Sequence, residues 1–156
     1  MKLTYDQALN RAAALCSQSE RCPGDIFTKA LSWGLTEPEA DRLVGYLTHE
    51  GFLDEARFAR AFVSDKFRFD QWGRVKISYA LRTKGIDDNL IDEALDEKID
   101  PDDYLATCTD LLNKKMRTLE LPLSPADRAR LLRFAAQRGF ESYIISKALH
   151  NLSNPS

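Results

Sequence analysis

A pattern stated twice within the chain restricts its fold more than any other feature. The segments KGIDDNLIDEAL (84–95) and RGFESYIISKAL (138–149) both read cation, glycine, apolar residue, three spacers, two apolar residues, two spacers, alanine and leucine. An earlier segment, WGLTEPEADRLV (33–44), keeps the glycine, the leucine after it and the last two apolar places. Gly34, Gly85 and Gly139 are therefore 51 and 54 residues apart, the period of a three-helix unit. The register continues upstream, where Ile26 and Ala30 correspond to Ile77 and Leu81 and to Leu131 and Ala135. Cations follow it too, because Arg74, Lys76 and Lys84 correspond to Arg128, Arg130 and Arg138. A unit of this size buries its apolar face partly on the next copy. The expected fold is all-α: three tandem three-helix repeats forming an elongated curved array of about nine helices, with repeats at 1–51, 52–99 and 100–156.

Helix signals support the division. Thr4 with Gln7 forms a capping-box pattern, Thr36 precedes Pro38 in a first turn, and Asp54, Asp87, Asp100 and Ser124 stand where helices should begin. The fourth helix is the longest by this reading, from Asp54 to about Gln71. On it Phe58, Phe62 and Phe69 align as a packing face, while Arg57, Arg60, Ser64 and Arg68 share an outward sector. Lys76, Tyr79 and Arg82 form the outer face of the fifth helix. Gly85 is expected to end that helix with positive φ. No sustained alternation or Asn-Gly hairpin argues for strands.

Charge is arranged in blocks although the net value is only -2. Arg57 to Ile86 carries +6, Asp87 to Asp103 carries -8, and Lys114 to Arg138 carries +5. Such alternation gives a folded array basic patches separated by an acidic one, although helix-start acids account for part of the acidic block. The low net charge argues against indiscriminate nucleic-acid binding.

Chemistry-bearing motifs are missing. Cys16, Cys22 and Cys108 have neither zinc-ribbon nor redox spacing, and His49 and His150 stand beside no matched carboxylate or thiol. There is no phosphate-binding loop, dinucleotide fingerprint, metalloprotease motif or nucleophile elbow. With neither a signal peptide nor an apolar run long enough for a membrane span, the expectation is a cytoplasmic binding module, not an enzyme.

The segments GFLDEARFARAFV, GRVKISYALRTKGI and IDEAL resemble the central signature of the RecX family, bacterial regulators of the RecA recombinase. The likeness is densest from Gly51 to Leu95 and extends more weakly over the chain; CSQSERCPGDI departs from the family's usual pattern in the first unit. The resemblance implies a monomer with no cofactor and no metal, which binds the RecA filament, reaches single-stranded DNA through it, and inhibits its ATPase, strand exchange and SOS co-protease activity. The candidate contacts for RecA or DNA are Arg57, Arg60, Arg68, Arg74, Lys76, Arg82, Lys84, Arg128, Arg130 and Arg133. A second reading, a helical protein acting on DNA directly, rests on a helix-turn-helix around Gly85. Its recognition helix would be DDNLIDEALDE, whose carboxylates would face phosphates.

Overall fold

The computed structural model describes residues 2–153; Met1 and positions 154–156, the end of the expected third repeat, lie outside the described residues. Nine helices and no strand occur among those residues. They are α1 (Tyr5–Gln18), α2 (Pro23–Ser32), α3 (Glu37–His49), α4 (Glu55–Arg68), α5 (Arg74–Thr83), α6 (Asp88–Lys98), α7 (Pro101–Met116), α8 (Pro125–Gln137) and α9 (Ser142–Ser153). The starts follow the side-chain chemistry. Thr4 and Thr36 make complete capping boxes with Gln7 and Glu39, and Asp100 and Ser124 accept the N–H groups of Asp103 and Asp127.

The repeated glycines end their helices in the same way. Gly34, Gly85 and Gly139 have φ of 98°, 83° and 97°, a region that costs an L side chain strain. The residue after each glycine donates its N–H five residues back: Leu35 to Ala30 O at 3.1 Å, Ile86 to Leu81 O at 3.1 Å, and Phe140 to Ala135 O at 3.2 Å. Each glycine N–H reaches three residues back, completing a Schellman motif. The apolar residue after the turn is buried in every copy, as are Ile26, Ala30, Ile77, Leu81, Leu131 and Ala135. The period seen in the sequence is thus a repeated turn with a repeated core. A Cβ at Gly85 would meet no atom within 4 Å beyond its chain neighbours, so the cost of Gly85→Val is chiefly backbone strain, and urea unfolding should register a loss on the order of 1 kcal/mol.

Two compact units are distinguished, Met1–Ala61 with Leu81–Ile91, and Phe62–Ala80 with Asp92–Ser156. In the first, α1, α2 and α3 pack together around Ala8, Ala12, Ile26, Ala30, Leu43 and Leu47. In the second, α7, α8 and α9 pack together, and Tyr104 lies between Phe67 and Phe140 with ring centroids at 5.9 and 5.1 Å.

The aromatic stripe of α4 needs correction. Phe58 is buried, but Phe62 is only partly so and Phe69 is 77% exposed. The helix ends at Arg68 rather than near Gln71; Gln71 takes φ of 57° and Trp72 N–H turns back to Lys66 O at 3.0 Å. Phe69 N–H still closes a helical bond to Asp65 O at 2.9 Å, so helical phase holds to that residue. It is exposed because α4 runs out there beside the exposed Arg68 and Asp70, and the buried aromatic near that end is Phe67.

Candidate functional site

The cations singled out in the sequence divide into those engaged within the fold and those left to solvent. In the first unit, Arg57 Nε donates to the Glu20 carboxylate, and its Nη2 donates to Gly51 O at 3.1 Å and Phe52 O at 3.2 Å. It ties the α1–α2 connection to the turn before α4. The Glu20 hydrogen bond raises the pKa of its guanidinium. Arg57 thus leaves the free outward ridge expected of it and becomes a clamp. Lys84 is similarly engaged, with Nζ 3.0 Å from the Asp25 carboxylate. Arg82 lies 3.8 Å from Asp88 with half of its side chain exposed, and Arg60 remains partly exposed on α4.

In the second unit Arg74 belongs to a semi-buried network. Its backbone N–H donates to Tyr104 Oη at 2.9 Å, and its guanidinium reaches Glu141 at 3.0 Å and Tyr143 Oη at 3.3 Å. Tyr104 donates its own hydroxyl hydrogen to Glu141. Burial lowers the Arg74 pKa, but the Glu141 hydrogen bond and charge outweigh it and the net direction is up. Lys76 Nζ stands 4.5 Å from the Trp72 ring centroid, and Lys66 Nζ lies 4.7 Å from the same ring. Such contacts hold the two ammonium groups against the ring face. Arg68, Arg128, Arg130 and Arg133 are exposed, Arg130 with Asp127 at 3.5 Å.

Among the described residues no carboxylate lies within 4.0 Å of Arg60, Arg68, Arg128 or Arg133. These four, with Lys76 and Arg130, are the candidates whose charge is most available to a partner. Sequence reasoning placed Tyr79 outward but missed that Phe69, Val75 and Tyr143 are also exposed, at 77%, 53% and 63%. The signal for Val75 was present, since it precedes Tyr79 by one helical turn. Nothing in the linear pattern foretold that Trp72 would sit against two lysines.

The three cysteines are free thiols, with Cys22 and Cys108 buried and Cys16 partly so. No group of three metal-ligating side chains gathers among the described residues, and none of their helices is long and apolar enough to cross a membrane. Burial, then the Glu141 charge, pushes the Cys108 thiol from 9.0 up to about 12. The Tyr104 hydroxyl is raised as well, by burial and then by its bond to Glu141. Because both folded values exceed the unfolded ones, this stabilisation is complete below about pH 9 and is lost as pH rises above it. The urea midpoint should fall between about pH 9 and 12, and Cys108→Ala should flatten that decline. An equally steep decline in the variant would remove the thiol as a contributor.

Comparison with known proteins places these elements in one group. Residues 54–95 match the family model for the second three-helix domain of RecX, and residues 102–149 match the model for the third. A protein of Chlorobium phaeobacteroides named Regulatory protein RecX is 31% identical over 150 residues, covering 94% of this chain and 93% of the relative. One of the same name from Chromobacterium violaceum is 31% identical over 139 residues, covering 89% and 86%. The crystal structure of RecX from Lactobacillus salivarius matches with a TM-score of 0.84 at 19% identity, over 96% of each chain.

Proposed function

The chain belongs to the RecX family, and from that premise we propose that it regulates RecA by binding the RecA filament on single-stranded DNA. In this reading it inhibits the filament's ATPase, strand exchange and SOS co-protease activity, as a cytoplasmic, cofactor-free monomer that is not an enzyme. The observation that carries the proposal is the family match over both the second and third three-helix domains. The proposed repeats are 1–51, 52–99 and 100–156.

The available cations support the reading chemically. Arg60 in the first unit and Arg68, Lys76, Arg128, Arg130 and Arg133 in the second present positive charge suited to acidic protein surface or phosphate. Arg82 is a further contact of this kind. Arg57, Arg74 and Lys84 contribute chiefly by holding the units in shape, because their charges already have carboxylate partners. The acidic stretch through Asp92, Glu93, Asp96 and Glu97 is exposed and suits a basic partner surface.

RecA ATPase on single-stranded DNA, measured against added protein, tests the proposal. Expected is a dose-dependent fall in rate that weakens as salt is raised, with only weak affinity for bare DNA at physiological salt. Tight binding to bare DNA with no effect on ATPase would instead establish the direct DNA-binding alternative.

A further inference from the structure

We propose that a hollow in the second unit, beside the C-terminal ends of α7 and α8, binds a nucleoside phosphate, either free or as one unit of an unpaired DNA strand. The hollow measures about 330 Å³, and its lining includes Lys114, Lys115, Thr118, Phe134, Arg138 and Gln71, with no acidic residue. That volume lies at the lower end of small-ligand sites, roughly 300–1,000 Å³.

Two features define the ligand. Lys115 Nζ and the Arg138 guanidinium lie 5.3 and 5.4 Å from the Phe134 ring centroid, so charge and flat aromatic surface are held together. Arg138 is fixed further by donating to Asp70 O at 3.3 Å, while the Asp70 carboxylate is turned to Lys66. Neither Lys114, Lys115 nor Arg138 has a carboxylate within 4.0 Å among the described residues.

Cations are favoured at helix C-termini in any case, so the excess must be weighed. Each terminus carries about half a negative charge, and two of them offset about one of the three cations. The remaining charge of about +2 matches a free phosphate monoester at neutral pH, whose charge is about −1.5 to −2, and more than balances the single charge of a strand phosphodiester. The Arg138 guanidinium plane, backed by the Phe134 ring, supplies a flat surface on which an unpaired base stacks. Gln71 adds a hydrogen-bonding amide to the lining, and the Thr118 hydroxyl, which donates to Lys115 O at 2.8 Å, remains able to accept.

The test uses the whole chain without RecA, so its outcome is separate from that of filament regulation. Titration calorimetry with dAMP, adenosine and inorganic phosphate is paired with fluorescence anisotropy of a labelled deoxythymidine oligomer. Lys114→Gln with Lys115→Gln is the variant, since both side chains are exposed; its melting temperature should match wild type. Expected is binding of dAMP that exceeds both adenosine and phosphate and falls about tenfold or more in the variant. Loss of oligomer binding in the same variant, with or without dAMP binding, assigns the strand as a source; loss of dAMP binding alone assigns the free nucleotide. The proposal is overturned if neither probe binds, if phosphate alone binds as well as dAMP without oligomer binding, or if the variant binds every probe as wild type does.

Discussion

Gly73→Ala is expected to lower the stability of the second unit by on the order of 3 kcal/mol, more than any surface substitution in the chain. Gly73 N–H donates to Arg138 O at 2.7 Å, and Val75 N–H donates to Gly139 O at 3.0 Å. These bonds bring the start of α5 against the turn between α8 and α9. A methyl group at Gly73 would stand 2.3 Å from the carbonyl carbon and oxygen of Gly139 and 2.5 Å from Phe140 N. All three are backbone atoms, so no side chain can swing aside and the two segments must separate. Separation would break both hydrogen bonds and disturb Arg74 N–H on Tyr104. Gly139→Ala should cost a similar amount, because its added carbon would meet Lys76 N at 2.7 Å and its φ is 97°. Urea unfolding of the three glycine variants should rank Gly73 and Gly139 well below Gly85. A Gly73→Ala protein within about 0.5 kcal/mol of wild type would show that this backbone approach is not needed for folding.

That contrast marks what a single sequence can disclose. Gly34, Gly85 and Gly139 were legible because their requirement is local: a helix ends, φ turns positive, and an apolar residue follows into the core. Gly73 could be read only as a break. Its requirement comes from Gly139, a residue 66 positions away that lies against it in space. The same distinction separates the arginines. Helical phase put Arg57, Arg60 and Arg68 on one sector of α4, but phase says nothing about the connection after α1, where Glu20 comes to meet Arg57. Arg74 and Lys84 likewise found partners in other helices, Glu141 and Asp25. Phe69 was misplaced for a different reason: its helical phase is kept, with its N–H on Asp65 O, but α4 ends there and the stripe has no core to meet. Core positions repeated with the period and were recovered. Surface roles depended on tertiary partners that no period encodes.

The division between engaged and available cations leads to the largest functional effect expected. Arg60→Glu with Arg68→Glu should leave the melting temperature nearly unchanged, since neither side chain has a carboxylate partner among the described residues and such surface changes usually stay within about 0.5 kcal/mol. If these residues meet acidic filament surface or phosphate, reversal replaces two attractions with two repulsions. The concentration needed to inhibit RecA should then rise by about 100-fold at low salt, with a smaller ratio as salt is added. Arg57→Glu should behave differently. It would set a carboxylate against Glu20 and leave Gly51 O and Phe52 O without their donor, at a cost of about 1–2 kcal/mol after allowance for solvent screening. Any loss of inhibition in that variant would therefore be accompanied by a lower melting temperature. Inhibition curves and thermal melts on both variants decide the matter together. Unchanged inhibition by a folded Arg60→Glu, Arg68→Glu protein would remove α4 from the contact and direct attention to Arg130 and Arg133 on α8, where charge reversal can be tested in the same assay.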